Sequence, residues 1–446
     1  MSRPEERLDQ VKARVCAAAD ARRADIIGAG RAIWNRPEIG FKEHATAAFI
    51  ADSLRSLGLA PAEGLAITGV RADLPMAGQG PTIAILGELD GLPVPDHPQA
   101  DPHTGVAHAC GHNTQLAHML GVAMALQDAE VASELAGRVA LIAVPAEEYV
   151  ELEWRREQMQ AGRIEFLGGK PELLRLGHLD DVDMAMLVHA TTTPEDRQLS
   201  VPASSNGMLA KRIRYLGRAA HAAVAPHRAV NALNAATLAL AAIHFQRETF
   251  RDDDSVRVHP IITRGGDSVN VVPADVRIET FVRGKTLEAV RDAEAKVDRS
   301  FRAGAMAIGA RVEIDTLPGY LPLVQDPGLL ELFKANSVAL VGPDNWADRE
   351  ATKASTDAGD LSHVMPLLHP SCGGFGGHPH GADFEIVDET LAYLTPVKAL
   401  AMTIVDLLSD DARGARRVLS DFTPRMGRAE YLQFMRELNR LETYPA

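Results

Sequence analysis

The chain has 446 residues, 46% hydrophobic and 24% charged, which is ordinary globular composition at a length that favours two domains. Its net charge of −14 argues against a surface that binds nucleic acid or an anionic membrane. Three cysteines, Cys16, Cys110 and Cys372, do not form a disulfide framework and indicate a reducing compartment. The charged N-terminus has no apolar signal-peptide core, and no uninterrupted apolar run is long enough to span a membrane. We therefore expect a cytoplasmic protein without a membrane partner.

Helical spacing of apolar residues predicts a helix over 5–34. Short apolar runs at 82–90, 138–148 and 183–190 predict buried strands, with a helical pattern over 113–128 between the first two. This alternation predicts an α/β fold with a doubly wound, mostly parallel sheet and helices on both faces.

All three predicted strands end in ionisable residues, namely Glu88 with Asp90, Glu147 with Glu148, and His189. Ligands of such sheets bind beyond the carboxyl ends of the strands. The sequence therefore predicts a functional site at this edge.

A different pattern begins near Gly207. Strands are predicted over 208–217, 255–266, 274–284 and 311–319, and helices over 228–245 and 286–303. This order predicts an inserted α+β domain over 207–318, which divides a catalytic domain into 1–206 and 319–446. A helix is then predicted over 327–341, followed by a Gly/His/Pro-rich segment, 355–383, and a helical tail. For the charged end, 411–446, the sequence leaves open whether it packs or frays.

Two short motifs carry groups that bind metals. HACGH places Cys110 and His112 directly before a helix, and thiolate and imidazole both suit divalent ions such as Zn²⁺. A buried cysteine beside a turn histidine is the alternative.

PAEE places Glu147 and Glu148 at a strand end, where neighbouring side chains point in opposite directions. One carboxylate can then face a metal and the other a substrate, although two surface acids are the alternative.

Histidines follow the same pattern further along the chain. His189 ends an apolar strand, where a core histidine is the alternative interpretation. GGHPHGADF offers His378 and His380 in a glycine-rich loop, which by itself is also compatible with a structural turn. The structural interpretations of these four segments are less favoured when the segments are considered together, because a doubly wound sheet would bring all four to one edge.

In order and spacing, nine segments over roughly 30–390 resemble the aminoacylase and auxin-conjugate amidohydrolase branch of the zinc exopeptidases. Within that branch, STDAGDLSHVMP and GHN look most similar to the p-aminobenzoyl-glutamate hydrolase group. Besides PAEE and the strand end at His189, the segments are WNRPEIGFKEHAT (34–46), GELDGLP (87–93), HACGHN (108–113), GRAAHAAVAPH (217–227), SVNVVPADVRI (268–278), STDAGDLSHVMP (355–366) and HGADFEIVD (380–388).

This resemblance implies a centre for one or two divalent ions, Mn²⁺ or Zn²⁺, with Cys110 as a bridge when two are bound. The implied ligands are Cys110, His112, Glu148, His189 and His380. The resemblance also implies that Glu147 is the general base and that Asp90 orients His112, a common device around metal-bound imidazoles.

The insert would contribute to the site through a homodimer. By the resemblance, His221 reaches into the partner subunit's active site and stabilises the developing oxyanion, although a turn histidine is the alternative. Asn270 and Arg283 would contact the carboxylate or acyl oxygen of the substrate.

The sequence departs from the family pattern at a few positions. Asn113 stands where the auxin-conjugate enzymes have Asp, and Glu88 stands where relatives vary between Asp and His, so it is either an extra ligand or a spectator. Asp357 and Asp360 occupy the place of a motif that is acidic and aromatic in relatives. These changes leave the substrate and the number of ions open.

The implied activity is metal-dependent hydrolysis of a carbon–nitrogen bond in a small, carboxylate-bearing substrate. The first expectation is the amide of an N-acyl amino acid or an aroyl-glutamate. Hydrolytic deamination of an amino-substituted aromatic acid is the alternative, since the family includes a nitroanthranilate aminohydrolase. A non-catalytic binding protein is a third interpretation, which the retention of Glu147 and all five ligands disfavours.

Overall fold

The computed structural model describes residues 4–445, and its centre is a sheet of six strands. Four neighbouring strands run parallel, in the order Ala136–Val144, Gly78–Glu88, Met184–Met186 and Leu367–Leu368. Two antiparallel strands, Gly69–Pro75 and Ala62–Leu65, extend the sheet beyond Ala136–Val144. The mostly parallel sheet predicted from the sequence is confirmed.

Both faces of this sheet are covered by helices. Alternate residues of Gly78–Glu88 enter two different cores, Ile83 and Ile85 on one side and Ala84 and Leu86 on the other. The first face packs against Pro4–Ala21, Arg23–Trp34, His44–Ser56, His112–Asp128, Pro327–Val341 and Thr395–Asp421. The second face packs against Gly169–Leu176, Ala358–Ser362 and Arg428–Leu438. The arrangement is doubly wound, which places the carboxyl ends of the parallel strands at one edge.

A second, smaller sheet lies beside that edge and carries one histidine of the predicted site. Its strands, in spatial order, are Trp346–Arg349, Leu199–Pro202, Ser371–Cys372 and His189–Ala190. The single strand predicted over 183–190 is therefore two short strands in different sheets, because the chain leaves the central sheet after Met186. The remaining short pairs are Leu92–Pro93 with Val106–Ala107, Phe375–Gly376 with Glu385–Ile386, and Ser204–Ser205 with Leu323–Val324.

The insert forms an antiparallel sheet with helices Ala232–Gln246 and Leu287–Ile308 packed on one face. Its strands run in the spatial order Arg257–Val258, Asp275–Gly284, Gly207–Leu216, Arg311–Pro318 and Arg440–Tyr444, and Ile261–Arg264 also pairs with Asp275–Gly284. The α+β order matches the prediction. The division of the chain at 207 and 318 stays a prediction, and the strand Arg440–Tyr444 joins the insert's sheet from outside it.

Several element boundaries differ from the predicted ones. The helix predicted over 5–34 is two helices that meet at Arg22, where the backbone turns out of helical geometry. The helix predicted to begin at 228 begins at Ala232, and the strand predicted over 255–266 is divided into two. The helix Leu152–Gln160, not predicted, packs against the insert through Leu152. The tail packs rather than frays: Thr395–Asp421 bends at Ser409–Ala412 and is followed by Arg428–Leu438.

One helical stretch, Thr390–Asp421, is long and apolar enough to cross a membrane by length and composition alone. Its most apolar window is 78% buried against the rest of the fold. A core helix has the same properties, so this stretch is weak evidence for a membrane span.

Candidate metal centre and active site

The segment Cys110–His112 is shaped by a tight turn at the beginning of the helix His112–Asp128. Gly111 takes a φ of 81°, and a Cβ there would lie 2.6 Å from the Cβ of Ala190. Glycine meets both requirements, since it tolerates positive φ and has no side chain. The turn places Cys110 and His112 side by side at the sheet edge, both of them buried.

The adjacent carboxylates follow the strand Ala136–Val144. Ala146 has a φ of 55°, an uncommon value for a residue other than glycine, and its N–H donates to the buried carboxyl of Glu43 at 2.7 Å. This turn directs the chain across the strand ends. Glu147 is buried and Glu148 is half-buried, so the alternative of two surface acids is wrong.

His189 and His380 come from two further segments. His189 lies on the small sheet, and its Nδ1 donates to the carbonyl of Ala190 at 2.8 Å, which leaves Nε2 free to bind a cation. His380 has a φ of 61°, and its main-chain N–H donates to the carbonyl of Ala109 at 2.8 Å. His380 is exposed, so the cluster is open to solvent on this side.

All five predicted ligands meet around Cys110. Its Sγ lies 3.5 Å from Nε2 of His189 and 3.3 Å from Nε2 of His380. Two groups of three share this thiol: Cys110, His112 and His189 form one, and Cys110, Glu148 and His380 form the other. In the second group, Nε2 of His380 is 3.2 Å from Oε1 of Glu148. A thiolate common to two groups is the arrangement that a bridging ligand requires.

The donor atoms fit a divalent cation. Nε2 of His112 and Oε1 of Glu148 are buried and have no hydrogen-bond partner within residues 4–445. Donor atoms ~2.0–2.3 Å from a common ion lie roughly 3–3.5 Å apart, which is the spacing found here. Thiolate, imidazole and carboxylate donors together suit Zn²⁺ and leave Mn²⁺ possible.

Asp90 connects two of these ligands. Its main-chain oxygen accepts a hydrogen bond of 2.8 Å from Nδ1 of His112, while its carboxylate lies 3.4 Å from the same nitrogen. The nearer acceptor for His112 is thus the backbone, not the carboxylate that the resemblance implied. The carboxylate accepts from the N–H of Glu148.

A buried charged network, which sequence reasoning did not assign, lies next to His112. Glu88 is 3.0 Å from Nε2 of His112 and accepts hydrogen bonds from Lys170 at 2.6 Å and from Gln115 at 2.7 Å. Lys170 also donates to Asp357, both from its ammonium group and from its main-chain N–H. The only sequence signal for Lys170 is its position in GGKPELL, as a lysine at the beginning of an apolar helix.

Electrostatics differ between the two adjacent glutamates. Burial, together with the negative charges of Glu88 and Glu148, raises the pKa of Glu147 well above its usual range. Burial also opposes ionisation of Glu148, but His380 overcomes it and lowers the pKa to about 2. Glu147 thus holds a proton readily, whereas Glu148 remains an anion, which matches the different roles expected of a proton acceptor and a ligand.

Cys110 is poised to bind as a thiolate. Burial and Glu148 oppose its ionisation, and His189 and His112 overcome them, so the pKa of the thiol falls to about 5. The thiolate is the form that binds metal ions.

The three predicted residues of the insert are placed differently. Arg283 is half-buried on the strand Asp275–Gly284, and its guanidinium lies 5.4 Å from the ring of Phe281. Burial lowers the pKa of Arg283, while Tyr320, Glu148 and Glu147 raise it, which puts this cation on the side of the site.

His221 and Asn270 are exposed and lie on adjacent segments, where Ala222 donates to the carbonyl of Asn270. Nδ1 of His221 accepts hydrogen bonds from the N–H groups of Ala223 and Val224 in its own loop, and within residues 4–445 His221 belongs to none of the residue groups that could hold a metal ion.

Comparison with known proteins identifies the family. The model of the peptidase family M20/M25/M40 matches residues 84–404. A mouse (Mus musculus) Xaa-Arg dipeptidase is 27% identical over 426 residues, 90% of each chain. The Arabidopsis thaliana IAA-amino acid hydrolase ILR1-like 4 is 25% identical over 388 residues, 82% of each chain.

Solved structures share the fold. A dinuclear metal-binding peptidase of the M20 family from Bacillus subtilis superposes with a TM-score of 0.64, 22% identity and coverage of 87% of this chain and 99% of that one. The aminobenzoyl-glutamate utilization protein of Klebsiella pneumoniae has a TM-score of 0.63, 19% identity and coverage of 91% and 99%. The resemblance stated from the sequence is confirmed: the chain belongs to the peptidase family M20/M25/M40, whose members are metal-dependent hydrolases of amide-type bonds.

Proposed function

We propose that this protein hydrolyses the amide bond of an N-acyl amino acid or an aroyl-glutamate whose carboxylate stays free. The observation that carries this proposal is the position of Glu147, a buried carboxyl of raised pKa beside two groups of ligands that share Cys110. The relatives include a hydrolase of IAA–amino acid conjugates and an aminobenzoyl-glutamate utilization protein, which favours this substrate class.

The residues of the chain divide the work. Cys110, His112, Glu148, His189 and His380 would hold one or two ions, Zn²⁺ or Mn²⁺. A bound divalent ion lowers the pKa of a coordinated water toward ~7 and polarises the substrate carbonyl. Glu147 accepts the proton of the attacking water and delivers it to the leaving nitrogen, which is general base and then general acid catalysis. Asp90 holds His112 and the backbone of Glu148 in place.

Arg283 supports a carboxylate-bearing substrate. Within the described part of the chain, no acidic side chain forms an ion pair with it, yet its guanidinium is half-buried on the side of the site. A guanidinium in this position matches a planar carboxylate in charge and geometry. Asn270 would contribute a second polar contact to the same substrate.

We also propose a homodimer in which His221 acts on the partner's site. Of the eleven large hydrophobic side chains that are exposed within residues 4–445, eight lie in the insert, including Phe245 and Val269 at 80% and 96% exposure. An apolar surface of this kind favours a protein interface. His221 and Asn270 lie on this domain, which fits a role across the dimer. A cytoplasmic location remains the expectation.

A substrate panel tests the proposal. Metal-reconstituted protein is assayed with N-acetyl amino acids, benzoyl-glutamate and aminobenzoyl-glutamate, scored for released amino acid, and with amino-substituted benzoates, scored for ammonia. We expect amide hydrolysis by the wild type, and turnover lower by about 10²- to 10⁴-fold in the matched variant Glu147→Gln. Ammonia release without amide hydrolysis would overturn the proposal in favour of aromatic deamination.

A further inference from the structure

Three side chains hold the main chain of the adjacent glutamates. Asp90 accepts a hydrogen bond from the N–H of Glu148, and Arg155 donates to the carbonyl of Glu148 at 2.5 Å. The hydroxyl of Tyr320 donates to the carbonyl of Glu147. The proposed general base is thus restrained through its own peptide group by a side chain that is distant in sequence.

Tyr320 lies where the chain leaves the insert and returns to the catalytic part. It comes two residues after the strand Arg311–Pro318, and its main chain forms two hydrogen bonds with that of Met208, at 2.8 and 3.1 Å. Met208 lies at the beginning of the insert's first strand. Gly319 permits this close approach, because a Cβ there would clash with the carbonyl oxygen of Met208. The position of Tyr320 therefore follows that of the insert's sheet.

A second tyrosine makes the reciprocal connection. Tyr149 directly follows Glu148, and its hydroxyl donates at 3.0 Å to the carbonyl of Pro318, the last residue of the insert's strand. The rings of Tyr149 and Tyr320 pack edge to face, with centroids 4.6 Å apart. Both tyrosines are buried, at 6% and 3% exposure. Each tyrosine thus connects its own segment to the main chain of the other.

These hydrogen bonds also indicate what the two hydroxyls do. A tyrosine hydroxyl has a single proton to donate, and in both residues it is donated to a main-chain carbonyl. Neither hydroxyl can donate to an oxyanion of the substrate while these bonds are formed. The arrangement therefore favours a positioning role over direct participation in the reaction.

The same pair contacts the strand that carries Arg283. The ring of Phe281 lies 6.3 Å from that of Tyr149, and the guanidinium of Arg283 lies 5.4 Å from the ring of Phe281. Three aromatic rings thus connect the cation proposed to bind the substrate carboxylate with the carbonyl of Glu147. Their packing sets the placement of the insert relative to the base.

We propose that Tyr320 is a positioning residue for Glu147, and that Tyr149 and Tyr320 together make the position of this base depend on the insert. The inference rests on the role that the proposed function gives to Glu147. A general base must lie within ~2.6–3.2 Å of the atom whose proton it accepts. The carbonyl and the side chain of Glu147 share one Cα, so a carbonyl that is released allows the carboxylate to shift.

The variant Tyr320→Phe tests this role, because it removes the hydroxyl and keeps the ring. We expect kcat to fall by about 10- to 100-fold, since a misplacement of ~1 Å can cost about 10²-fold, with KM and metal content nearly unchanged. Tyr215→Phe is the matched control. The hydroxyl of the fully buried Tyr215 also donates to a main-chain carbonyl, that of Phe301 at 2.8 Å, but within the insert. Equal kcat in Tyr320→Phe and Tyr215→Phe would overturn the proposal.

Combination with Glu147→Gln separates positioning from an independent contribution. If Tyr320 acts through the base, Tyr320→Phe should slow the wild type and should not slow Glu147→Gln any further. A tyrosine that acted by another route would give losses that multiply in the double variant. Such multiplication of the two losses would therefore overturn the proposal.

The variant Tyr149→Phe tests the dependence on the insert, because the hydroxyl that it removes bonds Pro318 and not Glu147. We expect kcat to fall in this variant as well. Hydrogen–deuterium exchange of the metal-reconstituted protein without substrate follows the loop independently of any reaction. Peptides that cover 145–151 should exchange faster in Tyr149→Phe and Tyr320→Phe than in the wild type and Tyr215→Phe. Wild-type kcat and wild-type exchange in Tyr149→Phe would overturn the dependence on the insert.

The outcomes distinguish this inference from the proposed function. All variants are assayed on whichever carbon–nitrogen hydrolysis the substrate panel reveals. Ammonia release without amide hydrolysis, slowed by Tyr320→Phe only when Glu147 is present, would overturn the proposed function and support this inference. Amide hydrolysis by the wild type, with kcat and exchange of the loop unchanged in Tyr320→Phe, would overturn this inference alone.

Discussion

The main-chain N–H of Glu148 donates a hydrogen bond of 2.8 Å to the carboxylate of Asp90. Asp90 follows the strand Gly78–Glu88, and Glu148 follows its parallel neighbour Ala136–Val144. The main-chain oxygen of Asp90 also holds His112. One residue therefore sets the distance between ligands from two different segments, since His112 and Glu148 belong to different groups around Cys110.

We expect Asp90→Ala to lower metal affinity by about 10- to 100-fold, the range seen when a partner that orients a ligand is removed. The main-chain oxygen still holds His112, so the loss arises from the freed backbone of Glu148. Asp90→Asn is the matched control, because its amide oxygen can accept the same N–H. Chelator competition measures both variants, and an unchanged affinity in Asp90→Ala would contradict this role.

The adjacent carboxylates should give opposite results when each is replaced by its amide. Glu147→Gln cannot accept a proton, so turnover should fall by about 10²- to 10⁴-fold, with metal content and melting temperature retained. Glu148→Gln should lose metal first, because a ligand is removed from the group with Cys110 and His380. Kinetics and metal analysis on both variants measure the difference. If Glu147→Gln loses metal while Glu148→Gln retains it, the roles of general base and metal ligand are the reverse of those assigned here.

Metal removal should abolish activity and leave the fold largely in place. The ligand-bearing edge is supported by the two cores of the central sheet, which are built from apolar side chains on both of its faces. The metal is removed by dialysis against a chelator, and activity and the circular dichroism spectrum are then measured. Both are measured again after reconstitution with Zn²⁺ or Mn²⁺. Full activity in demonstrably metal-free protein would contradict a metal-dependent reaction.

The trans role of His221 predicts complementation between two inactive variants. His221→Ala retains Glu147, and Glu147→Gln retains His221, so a mixed dimer has one complete site. Coexpression in equal amounts should restore about a quarter of wild-type activity, because half of the dimers are mixed and each has one working site of two. The control is a mixture of folded homodimers kept from exchanging. Light scattering that shows an active monomer would contradict the proposal.

The sequence predicted the ligand cluster because parallel strands place their carboxyl ends at one edge. Glu148 and His189 each follow an apolar run that is recognisable as a strand, and Cys110 directly precedes a predicted helix, so their convergence at one edge follows from a doubly wound sheet. Lys170 and Gln115 could not be assigned in this way. Their partners, Glu88 and Asp357, are distant in sequence, and the pairing exists only after the fold brings the helices His112–Asp128 and Gly169–Leu176 against the sheet edge.

The fold was predicted better in its sheets than in its connections. Tertiary packing decides where a helix breaks, and Arg22 is neither proline nor glycine, so the break between the first two helices has no local signal. The same holds for Arg440–Tyr444, a short segment that alternates charged and apolar residues at the end of a helical tail. Its strand conformation depends on the exposed edge of Arg311–Pro318, more than a hundred residues away.

Glu43 predicts a pH dependence of stability in the metal-free protein. Burial, with the negative charge of Asp90, raises the pKa of Glu43 from its usual 4.5 to about 7 in the folded state. A carboxyl whose pKa is higher in the folded than in the unfolded protein makes its full contribution to stability at pH values below its pKa in the unfolded protein. That contribution is lost as the pH rises through its pKa in the folded protein. The contribution of Glu43 to the free energy of unfolding should therefore decrease by on the order of 3 kcal/mol between about pH 4.5 and 7, at 1.36 kcal/mol per pKa unit.

The variant Glu43→Gln removes this titration and keeps an acceptor for the N–H of Ala146. The free energy of unfolding is measured by denaturant unfolding of both proteins at pH 5 and at pH 8. The variant should compare more favourably with the wild type at pH 8 than at pH 5. Glu248→Gln, on the exposed surface, is the matched control and should follow the wild type. An equal difference between Glu43→Gln and wild type at both pH values would contradict the raised pKa.

The C-terminal strand should hold the insert in position relative to the catalytic part. Arg440–Tyr444 pairs with Val312–Thr316 at the edge of the insert's sheet, while the preceding helix Arg428–Leu438 packs in a core of the central sheet. Arg440 forms an ion pair of 2.6 Å with Glu294, and Tyr444 lies under the guanidinium of Arg302 at 4.3 Å. The strand is thus a third connection between the two parts, in addition to the two chain crossings near 205 and 323.

Deletion of residues 440–446 should leave metal content unchanged and lower the free energy of unfolding by on the order of 2 kcal/mol, from a few net hydrogen bonds of ~0.5–1.5 kcal/mol each. The ratio kcat/KM should fall more than the stability change explains, because Arg283 and its strand lose one restraint toward the site. Small-angle scattering should show a broader distribution of shapes. Leu441→Ser, at a side chain that is 61% exposed, keeps the backbone pairing and is the matched control. Unchanged kcat/KM and scattering in the deletion variant would contradict a restraining role for this strand.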